Sequence, residues 1–196
     1  MKKGLIALIV IIVVVIALVG WVKNAYNGMV TQEEAVESAW SQVENVYQRR
    51  ADLIPNLVAT VKGYAEHEQE TLEQVISARA KATQTTVDPS SLDSEAMKAF
   101  QQSQGELSSA LGRLLMITEN YPDLKANENF LDLQAQLEGT ENRITVERQK
   151  FNSAAKEYNT AIRKFPNNLL AGMFGFERKP YFEAAEGADV APKVEF

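Results

Sequence analysis

The sequence predicts an all-α protein in which an N-terminal transmembrane helix is followed by an elongated antiparallel helical bundle. An uncharged apolar run opens the chain, and apolar residues then recur every three or four positions over long segments, without the alternation typical of strands. Such helices bury their apolar sides only against each other. We therefore expect a transmembrane anchor at residues 1–23, a linker at 24–32, the bundle at 33–166, and a short helix with a flexible tail at 167–196.

The anchor is the apolar run from Leu5 to Val22, which contains no charged residue. At about 1.5 Å per residue, a helix of this length just crosses the hydrocarbon core of a bilayer. Trp21 lies near its end, where an aromatic residue is expected at the membrane interface. A cleaved signal peptide is the alternative, but its apolar region is usually about 7–15 residues long and ends at a small-residue cleavage site. The run favours a retained single-pass anchor.

Positive charges around the run predict its orientation in the cell membrane. Lys2, Lys3 and the terminal amine precede the run, whereas Lys23 alone follows it. Because lysine and arginine are enriched on the cytoplasmic side, we expect a cytoplasmic N-terminus. The bundle then lies on the extracytoplasmic (periplasmic) side.

Three long helices are expected in the bundle. Asn27 and Gly28 suit a turn, and Thr31 can cap a first helix whose periodicity continues to Ala80. Pro89 breaks this pattern, and Ser91 or Asp93 can cap the second helix. The third helix is expected from near Asn127 to Pro166.

The stretch "RRADLIPNL" (residues 49–57) places charges and a proline inside the first helix. On a helical projection, Arg49, Asp52 and Asn56 point outward in one polar line, together with Ser38, Asn45 and Thr60. Arg50 instead lies between two apolar strips, so it is expected to be half buried and to need a partner.

The third helix offers partners for Arg50. Glu141 and Arg148 fall close to its apolar line, which predicts an Arg50–Glu141–Arg148 network inside the bundle. Glu119 and Glu138 are the alternative acids. Such a network sets how the helices pair.

Pro55 predicts a bend in the first helix. In an unbroken helix, the carbonyl of Ala51 accepts a hydrogen bond from the backbone N–H of residue 55. Proline has no backbone N–H, so this carbonyl loses its helical donor.

These segments also carry a family resemblance. The sequence "RRADLIPNL" at 49–57, "ENYPDLKAN" at 119–127 and "FNSAAKEYNTAIRKFPNNLLAGMFGF" at 151–176 resemble the LemA family. The resemblance extends over nearly the whole chain and implies a membrane helix followed by an all-α antiparallel bundle. It implies no catalytic residues. Members of the family are associated with membrane zinc proteases and other envelope proteins.

The composition argues against several kinds of chemistry. The chain has no cysteine and a single histidine, His67, so a catalytic triad has at most one base. The net charge of -6 argues against a nucleic-acid partner. The triplet Glu66-His67-Glu68 is the best metal candidate, but its side chains point in different directions on a helix. We expect no enzyme activity, no cofactor and no metal.

The segment "LLAGMFGF" (residues 169–176) is too apolar for a free tail. It covers the open end of the bundle, or it contacts a neighbouring subunit or the membrane surface. Its candidate contact residues are Leu169, Leu170, Met173, Phe174 and Phe176.

Two functions remain. The first is a structural envelope protein whose copies self-associate through the polar line of Arg49, Asp52 and Asn56 and through the apolar tail segment. The second is an adaptor that holds another membrane protein, such as a membrane protease.

Overall fold

The structure, a computed structural model, describes residues 2–65 and 67–183. Every regular element within these ranges is a helix. The predicted all-α fold is confirmed. The helices are α1 (Lys2–Lys62), α2 (Gln69–Gln84), α3 (Ser94–Thr118), α4 (Pro122–Lys125), α5 (Glu128–Arg163) and α6 (Asn167–Phe174), with a 3-10 turn at Pro89–Ser91.

α1 joins the anchor to the bundle without interruption, so the predicted turn at 24–32 is wrong. The Thr31 hydroxyl donates a hydrogen bond to the carbonyl of Asn27 at 2.9 Å inside the helix, instead of capping a new one. Gly28 is tolerated because one glycine costs only about 1 kcal/mol in a helix, which neighbouring turns and the burial of Met29 offset. The anchor and the bundle are therefore connected by a continuous rod.

The first bundle helix ends earlier than its periodicity predicts. α1 stops at Lys62, and the chain turns through Gly63 into α2, which runs back along α1. The Ala65 amide closes the turn on the carbonyl of Val61 at 2.9 Å. The apolar period continues through this turn because both helices face the same core, so periodicity alone did not reveal the reversal.

α1 and α5 form the antiparallel backbone of the bundle. Side chains meet at Tyr64 and Asn127, at Arg50 and Glu141, and at Glu33 and Tyr158. The two residue numbers of each pair add to the same total, as expected for antiparallel helices in constant register. The termini of α3 and α5 are capped by Asp93 and Asn127, which accept hydrogen bonds from Ala96 at 2.7 Å and Phe130 at 3.1 Å.

The core consists of two clusters along the rod. The membrane-proximal cluster is rich in aromatic side chains: Trp40, Tyr47, Phe100, Phe151, Tyr158 and Phe182. The membrane-distal cluster is mostly aliphatic: Ile54, Leu57, Val61, Leu72, Val75, Leu107, Leu114, Leu133 and Leu137, with Phe130.

The N-terminal part of α1 is apolar enough to span a membrane, and it is the one described helix with this property. Its apolar side chains are exposed, with Leu5 at 60% and Val19 at 63%. Trp21 is 38% exposed at its end.

The chain after α5 is more ordered than predicted. Gly175, at φ 77°, ends α6 and lets the chain turn into an extended segment at 176–183, here called the strap. Phe182 and Lys179 of the strap are buried, whereas the sequence predicted only a short helix and a flexible tail for residues 167–196. The remainder of the predicted tail, 184–196, lies outside the described residues.

Candidate functional site

Arg50 occupies the middle of the bundle and is only 2% exposed. Its guanidinium donates to Gln104 Oε1 at 2.6 Å, Ser108 Oγ at 2.8 Å, Glu141 Oε2 at 3.0 Å and the Gln104 carbonyl at 3.3 Å. The ring of Tyr47 lies 5.0 Å from the guanidinium carbon. Arg50 is therefore fully buried, not half buried as expected, and three helices contribute to its partners.

These contacts form a polar layer between the two apolar clusters. Ser103, Gln104 and Thr140 are also buried at this level. A charged group in a core is tolerated only where acceptors surround it, so the layer fixes the register of α1, α3 and α5.

The layer opens to solvent on one side. Glu141 is 56% exposed, and it lines a cleft of about 600 Å³ together with Lys98, Arg148 and Glu183. Burial raises the pKa of the Tyr47 hydroxyl at its edge, an effect that the charges of the neighbouring arginines oppose. The cleft can hold a small polar group by hydrogen bonds and charge.

Arg148, predicted to join the Arg50 network, makes different contacts. It donates to the Glu183 carbonyl at 2.9 Å and to Gln101 Oε1 at 3.4 Å, and it stacks over the Phe182 ring at 4.7 Å. It lies two helical turns beyond Glu141, about 10 Å along α5. At that level the acceptor is the Glu183 carbonyl of the strap. The sequence had placed Glu183 in a flexible tail. The alternative acids also pair elsewhere, Glu119 with Lys125 and Glu138 with Gln134.

Two asparagines of α5 hold the strap by its backbone. Asn159 donates to the Lys179 carbonyl at 2.8 Å and accepts from the Lys179 amide at 2.9 Å. Asn152 makes the same pair of bonds with Phe182, at 3.0 and 2.8 Å. Each side-chain amide thus replaces the partner that a neighbouring strand would supply.

A buried lysine fixes the same segment to α1. Lys179 Nζ lies 2.9 Å from Glu33 Oε1, and its side chain is only 6% exposed. The Tyr158 hydroxyl also contacts Glu33, at 3.4 Å. Burial raises the pKa of Tyr158, and the Glu33 charge raises it further, so this hydroxyl stays protonated.

The carbonyl of Ala51, which Pro55 deprives of its helical donor, accepts a hydrogen bond from another helix. Arg79 Nε of α2 donates to the Ala51 carbonyl at 2.7 Å. Ala51 is 3% exposed, so water cannot replace Arg79 as the donor to this carbonyl. The proline therefore creates a docking point for α2 on α1.

The predicted polar line on α1 faces solvent. Arg49, Asp52 and Asn56 are exposed, as are Ser38 and Asn45, whereas Thr60 at the distal end of the line is partly buried. Asp52 accepts a hydrogen bond from Gln48 at 2.7 Å, and Arg49 has no ion pair with a described residue. We call this surface, residues 38, 45, 49, 52 and 56, the polar stripe.

The apolar tail segment divides into two groups. Leu170 is 6% exposed and Phe176 is partly buried against Tyr26, so neither is free to contact another molecule. Leu169, Met173 and Phe174 are exposed.

Several of these partners were missed in the sequence. Gln104 and Asn159 looked like ordinary polar residues of helices. The spacing of Asn152 and Asn159, seven residues apart on the apolar side of α5, is the one signal that could have indicated them. No group of three metal-ligating side chains occurs among the described residues, and Glu66 of the Glu66-His67-Glu68 triplet lies outside them.

Comparison of the sequence with those of known proteins identifies a family. The sequence model of the LemA family matches residues 39–196. Magnetosome protein MamQ of Magnetospirillum gryphiswaldense is 29% identical over 189 residues, which cover 86% of this chain and 70% of the relative. Magnetosome protein MamQ 2 of Paramagnetospirillum magneticum is also 29% identical, over 89% of this chain and 71% of the relative. Protein LemA of Metamycoplasma hominis is 24% identical over 82% of this chain and 69% of the relative.

These relatives and the single apolar helix fit a membrane-associated, single-pass envelope protein. The family match covers the bundle from residue 39 onwards and the strap, and so includes the polar layer and most of both core clusters. The resemblance found in the sequence is confirmed, and the chain belongs to the LemA family.

Proposed function

We propose that this protein is a non-enzymatic structural component of the cell envelope whose membrane-anchored copies self-associate side by side. The observation that carries this proposal is the polar stripe, an exposed line of opposite charges and small polar groups on the helix that continues into the membrane. From residue 38 to residue 56 it is about 27 Å long.

Anchoring in one membrane restricts how copies can meet. Copies inserted in the same direction lie parallel, so each level of α1 faces nearly the same level of a neighbour. Arg49 and Asp52 differ by about 4.5 Å in height. The long side chain of Arg49 in one copy can therefore reach the carboxylate of Asp52 in the next.

Each contact of this kind is weak. Exposed ion pairs contribute about 0–1 kcal/mol. Confinement to the membrane raises the local concentration of copies, and a symmetric assembly repeats every contact. Assembly is therefore expected to depend on the membrane anchor as well as on the stripe.

Support for a non-enzymatic role comes from the polar layer. The two terminal nitrogens of Arg50 already donate to Gln104, Ser108 and Glu141, whereas its buried Nε has no hydrogen-bond partner among the described residues. His67, the single histidine of the sequence, belongs to the exposed turn between α1 and α2. The cleft therefore has no histidine base.

The orientation completes the proposal. The excess of Lys2 and Lys3 over Lys23 supports a cytoplasmic N-terminus and an extracytoplasmic bundle. A cysteine at Arg143, which is exposed on α5, should react with a membrane-impermeant thiol reagent once the outer barrier is opened. Protection until lysis would reverse the orientation.

The mass of the full-length protein in mild detergent tests self-association, with bound detergent subtracted by light scattering. Arg49→Glu should lower the mass towards that of a monomer. Exchange of the two charges, Arg49→Asp with Asp52→Arg, should restore it. Arg143→Glu makes the same charge change on another exposed face and should leave the mass unchanged. A monomer at every concentration would favour the adaptor function instead.

A further inference from the structure

α6 and the residue before its first turn present an exposed apolar face. Phe165 is 81% exposed, Leu169 58% and Met173 77%. Leu169 and Met173 are four residues apart in α6, so they project from the same side of the helix, and Phe165 precedes the helix in the turn after α5. The opposite side of α6 is buried through Leu170 and Ala171. The exposed face therefore belongs to a helix whose other side is docked on the bundle.

α6 docks at the level where the anchor leaves the membrane. The Phe174 ring packs against Tyr26 of α1, with 4.9 Å between the ring centroids. Phe174 also lines a shallow apolar hollow with Leu18, Val19 and Val22 of the anchor. Its surface is therefore continuous with side chains that face lipid.

The height of α6 matches the thickness of the interfacial region. Tyr26 lies four residues beyond Val22, a rise of about 6 Å. Headgroups occupy about 5–8 Å on each side of the hydrocarbon core. The side of α6 that faces the anchor thus falls among the headgroups, while Phe174 extends towards the acyl chains.

The charges around α6 suit an anionic surface. Lys23, Arg163, Lys164 and Arg178 are exposed beside it. The acid nearest in sequence is Glu177. Basic residues near the membrane surface each contribute about 1 kcal/mol of attraction to anionic lipids.

We propose that α6 is an interfacial helix that binds anionic lipid of the same bilayer that α1 crosses. A second copy of the chain is the competing occupant of this face. Lipid is favoured because α6 is continuous, through Phe174, with the lipid-exposed anchor and lies at headgroup height. The bundle is then attached at two points, through α1 and through α6, and this attachment limits its tilt. The proposal is independent of self-association through the polar stripe.

Single cysteines can test this proposal cleanly, because the chain has none of its own. Leu169→Cys and Met173→Cys replace exposed residues and should not disturb folding. Asn168→Cys on the polar edge of α6 and Ser109→Cys on the distal part of α3 are exposed controls. Each variant is labelled with an environment-sensitive dye and placed, one copy per nanodisc, in phosphatidylcholine with or without phosphatidylglycerol.

Lipids that carry a nitroxide near the headgroup then report contact by quenching. Quenching at 169 and 173 should exceed that at 109 by at least about twofold, with 168 in between, and should increase with phosphatidylglycerol. Equal quenching at 173 and 109 would overturn the proposal. Quenching that ignores phosphatidylglycerol would overturn the preference for anionic lipid. A dye at 173 that is shielded only when two copies share a disc would identify a second copy as the occupant.

Discussion

The two halves of the bundle share α1, α3 and α5 but are closed in different ways. In the membrane-distal half the fourth element is α2, which contributes Leu72, Val75 and Ala82 to the core. In the membrane-proximal half it is the strap, which contributes the buried ring of Phe182 and the partly buried ring of Phe176. The core is mostly aliphatic where the helix closes it and rich in aromatic side chains where the strap does.

The difference follows from the geometry of the closing element. A helix advances about 1.5 Å per residue, whereas an extended segment advances about 3.3 Å, so the strap offers fewer side chains per unit length. Large rings from the other helices fill the space that remains. Trp40 accordingly contacts Phe100, Phe151 and Phe182, with centroid distances between 5.2 and 5.8 Å.

The closing elements also differ in how their backbone groups are satisfied. A helix satisfies its own, but a single extended segment cannot, and a buried backbone group without a partner is costly. Asn152 and Asn159 supply the missing partners. Their separation of seven residues on a helix is about 10.5 Å, which matches the three extended residues from Lys179 to Phe182 at about 10 Å.

The first way to break this comparison is to remove the side chain by which the strap closes the proximal half. Phe182→Ala should lower the free energy of unfolding by about 3–5 kcal/mol, because a buried ring is lost and a cavity remains. Urea unfolding of the full-length protein in mild detergent, followed by circular dichroism, measures this. Met116→Ala removes a side chain that is 71% exposed and should cost less than about 0.5 kcal/mol. A small effect for Phe182 would mean that the proximal core does not depend on the strap.

The second prediction concerns the boundary between the halves. Arg50→Ala should cost about 2–4 kcal/mol, because it strands the buried side chain of Gln104 and leaves a cavity. Glu141 is 56% exposed and can return to water, so it adds little to this loss. Arg49→Ala, at the neighbouring exposed position, should cost about 0–1 kcal/mol in the same assay. Equal small losses for the two arginines would contradict the polar layer.

The third prediction sharpens the account of the distal half. Arg79→Ala should cost about 1–2 kcal/mol, because the carbonyl of Ala51 then lacks a donor. In a Pro55→Ala background the helix supplies its own amide to that carbonyl, so the cost of Arg79→Ala should fall. A double-mutant cycle measures the coupling, and Arg113→Ala on exposed α3 is the control. Additive effects at 55 and 79 would show that the proline does not create the docking point.

Sequence reasoning was most successful where the interaction is local or periodic. The membrane run and the long amphipathic segments indicated the fold class because burial imposes a helical period on the residues themselves. The placement of Arg50 between two apolar strips predicted a partner for the same reason. Projection could not show that α3 would supply Gln104 and Ser108, since that depends on how three helices pack.

Sequence reasoning was less successful for loops and for the tail. The turn at 24–32 was inferred from Asn and Gly, but the helical turns on either side carried α1 through it. The reversal between α1 and α2 was missed because these helices face the same core with the same period. The strap was missed because its order is imposed by α5, and its own sequence has neither a helical nor a strand period.

The sequence by itself determined an apolar anchor, helices with one apolar side, and a charge in the first bundle helix that had to be buried and paired. These are properties of single segments, which the hydrophobic effect and helical geometry impose before any packing. Only the tertiary structure decided that α2 and the strap close different halves, that Arg79 takes the carbonyl freed by Pro55, and that α6 docks beside the anchor. Each of these depends on contacts between residues far apart in the chain, and the register of those contacts is set by the packing of whole helices.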